Sequence, residues 1–470
     1  MIKRQNRKYI SAAVVVMAAV ACLGCSAVRE CKEPELNLPE RIADMEPTDS
    51  LTLADVDWWE FYGDANLRHI IECTLANNKK LLAAAARVEQ LQHLYRVSKA
   101  NRMPNLQFLA PFNNETNDYW QDKPLRDPEL GLKLSIRWEL DFWGNLRWAK
   151  RKAGAEYEAT VEDERAMRMT LVAEAASAYY RLMALDNELE IVRRTLVTRR
   201  EGLQLAKIRF EGGLTSEIVY QQAQVEYATT AALIPNLEYG IEVTENALAL
   251  LMGEYPNREI MRSRGLDDRG MPEKFLVGVP SELLQRRPDV RSSELKLKAA
   301  MAAVGVAYAD RFPRMTIDLT GGLENDDFKG LLRSPFSYVA ETLTAPIFGF
   351  GRKKAKYKAS VAAYDEARLN YEQKVLEVFK EVDDAVASYE SARSAAILRG
   401  RQLDAASKYD DLTHRQYAAG SIRYLEALDA QRRYLEAQIG YNNAIRDEHL
   451  AFVQLYKVLG GGWKIPEPAE

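Results

Sequence analysis

Glu426 and Asp429 stand three residues apart in a proline-free stretch rich in helix formers, so their carboxylates share one helix face. Carboxylates placed this way repel one another and attract cations. In a single copy they read first as solvated helix-surface charges paired with Arg423 and Arg433. Glu381, Asp383 and Asp384 have the spacing of a solvated helix face, not of a catalytic pair. The four histidines (His69, His93, His414, His449) are scattered without ligand spacing, so no metal site is expected. The sequence holds no nucleophile elbow, zinc motif or phosphate loop, so no catalytic residue and no enzyme activity is expected. Cys22 and Cys25 close an N-terminal apolar run. Cys31 and Cys73 either pair in an oxidising compartment or serve as a thiol and a small core residue.

The elements that must position these groups follow from composition. The chain has 470 residues, 47% hydrophobic and 28% charged, enough for a substantial core and too apolar for wholesale disorder. A net charge of −4 implies no strongly basic face, so nucleic acid is not an expected partner. No apolar run reaches the roughly 18 residues of a spanning helix. Lys3, Arg4, Arg7 and Lys8 precede an apolar stretch from Ile10 to Gly24, the layout of a secretory signal. Its end, Cys22-Leu23-Gly24-Cys25-Ser26, resembles a bacterial lipoprotein cleavage box, with Cys22 where Leu is usual. Cys25 is the expected lipidation site, Cys22 after Ala21 the alternative, and cleavage without lipid the third reading. Apart from that covalent lipid no cofactor is expected. Ser26 is not the Asp that such a resemblance links to inner-membrane retention, so the outer membrane is the expected address. Removing residues 1–24 takes the net charge from −4 to −8.

The chain reads as a tandem duplication. Ala100-Asn101-Arg102-Met103-Pro104 matches Ala309-Asp310-Arg311-Phe312-Pro313 at an offset of 209. Phe142-Trp143-Gly144-Asn145 matches Gly349-Phe350-Gly351-Arg352, Phe210 and Gly213 match Tyr417 and Gly420, and Ala223-Gln224 matches Ala430-Gln431, all at 207. The divisions are a signal (1–24), an extended arm (25–54), a first repeat (55–255), a linker (256–279), a second repeat (280–463) and a tail (464–470). Each repeat predicts a helix (Asn77–Asn101; Pro288–Asp310), two strands, a long helix (Leu146–Glu211; Arg352–Tyr417) and a shorter one (Leu214–Met252; Ser421–Leu459). The long helices span about 99 Å, and the two shorter ones of each repeat about 95 Å end to end. Each half therefore offers two columns of equal height, one continuous and one stacked. Helices this long bury their stripes laterally, in a coiled coil or a helical barrel wall.

Leu130 to Phe142 alternates without exception, apolar at even positions and polar or glycine at odd ones. Thirteen residues suffice for a tilted transmembrane strand, and apolar-out with charged-in is the pattern of a wet outer-membrane barrel. Leu106–Phe112, Met315–Leu319 and Phe336–Phe348 supply three weaker strands, with Asn113–Glu129 and Glu324–Pro335 as polar external loops. Four strands cannot close a barrel. The chain must oligomerise, and strand count alone permits a dimer or a trimer.

The Cys25 region, Arg287-Pro288-Asp289-Val290, Phe312-Pro313, Ala345-Pro346-Ile347-Phe348 with Gly351-Arg352, and Leu428-Asp429-Ala430-Gln431 together resemble the TolC family of outer-membrane efflux channels, in its lipoprotein branch serving resistance-nodulation-division (RND) pumps. The resemblance covers nearly all of the mature chain. It implies a mainly α fold with a transmembrane β-barrel: a homotrimer with a 12-stranded barrel, four strands per protomer, continued by a long periplasmic α-helical barrel. It implies a periplasmic adaptor and an inner-membrane pump as partners, outer-membrane lipid around the barrel, and a passive exit channel for drugs or metal ions as the function. Tyr417, Glu426 and Asp429, with Gly420, fall at the positions of the periplasmic gate, where the family has Asp or an apolar residue in place of Glu426. Gly212, Gly213 and Gly420 fall at the helix tips that meet the adaptor. The alternative function is an exported coiled-coil scaffold or adaptor protein, which leaves the alternating strands unexplained.

Overall fold

A computed structural model of the chain describes residues 31, 32, 34, 36, 38, 39, 64–117, 125–256, 260–263, 280–345 and 349–461. The signal segment, Cys22, Cys25, most of the arm and linker, and the tail lie outside the described residues. Ten helices and five strands are described: α1 (Ala65–Asn77), α2 (Lys79–Ala100), β1 (Asn105–Leu109), β2 (Phe112–Asn117), β3 (Leu125–Leu140), α3 (Asn145–Glu211), α4 (Glu217–Ala231), α5 (Leu233–Leu251), α6 (Pro280–Arg286), α7 (Pro288–Ala309), β4 (Arg314–Asn325), α8 (Phe328–Leu331), β5 (Pro335–Thr344), α9 (Arg352–Ala418) and α10 (Tyr424–Val458). Both long helices have 67 residues. The chain divides into two compact units.

The first unit carries the sheet and the helix ends that lead into it. The strands pair antiparallel in the order β1-β3-β4-β5, with β2 also on β3. β1 and β2 are one strand interrupted at Ala110-Pro111. Pro111 cannot donate to the ladder, and its carbonyl accepts from the Gly131 amide at 3.0 Å. The four expected strands are therefore present with shifted bounds: β2, the start of β3 and the end of β4 reach further than their alternation suggested, whereas β3 stops at Leu140 and β5 at Thr344, and residues 346–348 of the fourth expected strand lie outside the described residues. β2 pairs Phe112–Asn117 with Leu125–Leu130, inside the expected loop. β4 runs to Asn325, and the short helix α8 occupies part of the second expected loop.

Directly paired residues share a sheet face. One face joins Leu106 and Phe108 to Leu134 and Ile136 of β3, then to Leu319 and Ile317 of β4 and Val339 of β5. Phe108, Leu134 and Val339 are 69%, 50% and 66% exposed, which in water is a large apolar liability. The other face carries ion pairs between strands: Arg137 Nε to Asp318 Oδ1 at 2.5 Å and Lys133 Nζ to Glu324 Oε2 at 2.8 Å. The Thr320 hydroxyl lies 3.0 Å from that of Ser135. In the same unit the Lys32 carbonyl accepts from the Tyr364 hydroxyl at 2.8 Å, laying that part of the arm on α9.

The second unit is helical. Its core gathers Leu67, Ile70 and Ile71 of α1, Tyr179 and Leu182 of α3, Leu248 of α5 and Val453 of α10. α1 was not expected, although Leu67, Ile70, Ile71 and Thr74 have helical spacing and Asp64 caps them through the Asn66 amide. The expected helix over Leu214–Met252 is divided at Ala232, because Pro235 offers no N–H and its ring crowds the carbonyl four residues earlier. The described part of the linker has no helix or strand, yet is packed. Ile260 is buried, and Arg262 pairs with both Asp186 and Glu245.

The stacked columns are joined by buried polar side chains. The Asn78 carboxamide oxygen accepts from the amides of Lys80 and Leu81, capping α2, while its nitrogen donates to the Leu251 carbonyl at 2.8 Å, ending α5. In the second repeat Arg287 donates to the Val458 carbonyl at 3.1 Å, ending α10, and pairs with Asp289 and Glu381. Burial works against the Arg287 charge, but the two carboxylates more than offset it and hold its pKa above the usual value. The offsets are those read in the sequence: Asn78 to Arg287 is 209, Leu251 to Val458 is 207. Left-handed glycines recur at 207 as well, in the pairs Gly144/Gly351, Gly213/Gly420 and Gly253/Gly460.

The chemistry of the two junctions predicts unequal losses. Arg287→Met leaves two carboxylates facing a buried position and should cost about 3–5 kcal/mol. Asn78→Ala removes a helix cap and should cost about 1–2 kcal/mol. Guanidinium unfolding of the detergent-solubilised protein, followed by circular dichroism, checks the order. Equal losses would contradict it.

Candidate functional site

The two helix hairpins of the second unit end in matching turns. At the end of α3 the Leu214 amide donates to the Arg209 carbonyl at 2.8 Å, and at the end of α9 the Ser421 amide donates to that of Gln416 at 3.0 Å. These six-residue closures need a left-handed residue just past the helix, supplied by Gly213 at φ 71° and Gly420 at φ 73°. Gly212, Gly213 and Gly420 thus sit at the tips, where the sequence placed them. Leu214 and Ile218 at the first tip are 81% and 69% exposed.

Tyr417 lies in the last turn of α9, half-buried against Tyr424 with ring centroids 5.6 Å apart. Its hydroxyl accepts from Arg209 Nη1 at 2.9 Å, so the tips of the two hairpins are tied within the protomer. Glu426 lies in the first turn of α10, exposed, with no ion-pair partner among the described residues. Asp429 is one turn further on and is engaged by Arg433 Nε at 2.7 Å. The two carboxylates share a helix, but only one is neutralised locally.

Below them lies a charge cluster that the sequence reading missed. Arg199 of α3 and Glu226 of α4 are both buried, with Arg199 Nη2 at 3.4 Å from Glu226 Oε2. Arg432 of α10 also grips Glu226, through Nε at 2.6 Å and through Nη2. One carboxylate therefore joins three helices of both hairpins. Arg199 Nε and Nη1 have no hydrogen-bond partner among the described residues, and they line a cavity of about 240 Å³ shared with Asp410 of α9. Burial pushes the pKa of Arg199 down, against the pull of Glu226. The three residues are scattered through helical stretches dense in Arg and Glu, so spacing alone gave no reason to single them out.

Burial also raises the Asp410 carboxyl, against the pull of His414 and Arg199, and its Oδ1 is unsatisfied among the described residues. A raised pKa means that the native state favours the protonated acid. That contribution is complete below the ordinary carboxylate pKa and is lost as pH rises through the raised value. Asp410→Asn should therefore stabilise the protein near pH 7 by about 1 kcal/mol or more, with the gain vanishing below about pH 4. Thermal unfolding at the two pH values checks this, and an equal gain at both would contradict it.

Known proteins share the sequence pattern and the fold. The family model for outer membrane efflux proteins matches residues 70–254 and again 279–461. The chain is 30% identical to the pyoverdine export outer membrane protein OpmQ of Pseudomonas putida, over 88% of this chain and 90% of that one. It is 30% identical to the probable outer membrane lipoprotein SilC of Salmonella typhimurium, over 94% and 96%. The solved outer-membrane channel OprN superposes with a TM-score of 0.84 at 26% identity, covering 92% of this chain and 99% of that one. With two stretches that together span most of the chain matched, the chain belongs to the outer membrane efflux protein family, a family of transport channels.

Proposed function

We propose that the protein is the passive exit duct of a tripartite efflux system, a homotrimer whose twelve strands close a barrel in the outer membrane. The observation that carries this reading is the sheet. It has an exposed apolar face, a charged and cross-linked opposite face, and two edges, on β1/β2 and on β5, that pair with nothing in the described chain. Lipid tolerates no open edge, so sister chains must supply the missing neighbours. Three copies of four strands make a barrel with room for a wet lumen. Substrate moves through such a duct without a bond being made or broken, so no catalytic group is required.

A lipid on Cys25 would hold the mature N-terminus at the same membrane, a reading supported by the likeness to a probable lipoprotein. The exposed Leu214 and Ile218 offer an apolar contact at the first tip for a periplasmic adaptor, which in turn meets an RND-type pump. The relatives' names, pyoverdine export among them, favour small molecules as cargo. Tyr417, Glu426 and Asp429 form the gate, and threefold symmetry gathers six carboxylates around one axis.

Two tests follow. Leu134→Arg puts a charge on the lipid face, at a cost of about 2–4 kcal/mol near the membrane midplane, whereas Ser135→Arg points into the lumen. The first should abolish trimers in outer-membrane extracts and the second should preserve them. The reverse result would reject the barrel. At the gate, Asp429 is already paired with Arg433 and Glu426 is not. Glu426→Gln should therefore reduce cation selectivity in planar bilayers more than Asp429→Asn does. Unchanged conductance and selectivity in the double Ala variant would remove these residues from the gate.

A further inference from the structure

The first unit contains a cavity of about 590 Å³ between α2, α3 and α7, within the range of ligand pockets. Five cations line it, Arg102, Arg147, Lys150, Arg151 and Lys298, against the single carboxylate of Glu158. Arg147 is partly spent on Asp141, and Lys298 on Glu294. Arg102, Lys150 and Arg151 have no carboxylate partner among the described residues. In a chain of net charge −4 this is a local excess of positive charge that nothing in the described fold neutralises.

The cavity is built, not incidental. Trp148 lies on its wall with the Arg151 guanidinium 4.7 Å from the ring. The indole packs so tightly on α7 that a Cβ at Gly305 would fall 2.3 Å from it. At Gly154 of α3, a Cβ would meet the Tyr95 ring at 3.3 Å. Two mid-helix glycines, each costing about 0.5–1 kcal/mol relative to Ala, thus make room for the aromatic wall.

Its position links it to the apolar face of the sheet. Trp138 stands on that face, and its indole N–H donates to the Arg102 carbonyl at 3.1 Å. The cavity therefore opens where the lipid-facing strands end and the helices begin. Indoles and basic side chains at that level are the groups that engage a membrane interface.

We propose that this cavity binds the headgroup of an anionic phospholipid in the periplasmic leaflet, its phosphodiester held by Arg102, Lys150 and Arg151 and its acyl chains lying along the apolar face past Trp138. Guanidinium groups fit phosphate oxygens bidentately, and Trp148 shields the pair from water. The proposal rests on the barrel reading above. A failure of that reading would appear as loss of trimers and conductance, which the test monitors separately.

The test uses the full-length protein in detergent with phosphatidylglycerol, phosphatidylethanolamine or inorganic phosphate added, reading the thermal midpoint and the lipid retained in native mass spectrometry. Phosphatidylglycerol should raise the midpoint and stay bound, and the other two should not. Each cation near an anionic surface is worth about a five-fold factor, so Lys150→Gln should weaken phosphatidylglycerol about five-fold and Arg102→Gln/Lys150→Gln/Arg151→Gln roughly a hundred-fold. Trimers and conductance should be unchanged. Lys79→Gln/Lys80→Gln/Arg401→Gln, which removes three exposed cations from the second unit, should leave binding intact. Equal loss in that control would mean bulk charge rather than a site. Protection by phosphate alone at the same concentration would assign the cavity to a free anion. Undiminished phosphatidylglycerol binding in both cavity variants would overturn the proposal outright.

Discussion

A backbone amide at a sheet edge has nowhere to go in hydrocarbon. That constraint decides more about this protein than any side chain does. Among the described residues β1/β2 and β5 end the sheet with open ladders, and the apolar face forbids leaving them in water. The hydrophobic effect pushes the sheet out of water, and hydrogen bonding forbids its edges to stand alone in lipid. Association into a closed barrel satisfies both. Inter-strand pairs such as Arg137–Asp318 then face a wet interior, where burying charge costs little.

The helices answer a different constraint. A 67-residue helix has four unsatisfied carbonyls at its end like any other, but its partners in the column beside it are shorter and must be joined. Each repeat solves the joint with one buried polar side chain that serves the end of one helix and the start of the next. Asn78 does so by hydrogen bonds alone. Arg287 does so with charge, held by Asp289 and Glu381. The shared offset of 207–209 shows a common geometric plan carried out with different chemistry.

Much of this was legible in the sequence because it is periodic. Strict alternation in Leu130–Phe142 gave β3 its two faces, and proline-free stretches bounded by Gly213 and Gly420 gave the long helices to within a residue or two. Non-periodic features were not legible. α1 is the exception, a short helix with apolar spacing and an Asp64 cap that lies outside the expected helices. The break at Ala232 follows from Pro235, but its effect falls three residues upstream. The strand extensions around β2 carry few apolar residues, so nothing marked them as strand. Among the candidate site residues, the turn glycines were readable from local conformational need. Spacing alone puts Glu426 and Asp429 on one helix face; their place at a gate, and that of Tyr417, is legible only through family resemblance, and the contacts of Tyr417 with Arg209 and of Asp429 with Arg433 required coordinates.

The buried cluster below the tips shows why charge is the hardest feature to read from sequence. Glu226 is gripped by Arg199 and Arg432, from helices 27 and 206 residues away in the chain. Losing either arginine would leave a buried, half-satisfied group, so the three residues act as one unit. Yet Arg199 keeps two donors without partners beside a cavity that also holds the unsatisfied Asp410. A core optimised only for stability would have closed that gap with apolar side chains. An incompletely satisfied cluster instead leaves the two hairpins joined by contacts that are strong one by one but not saturated.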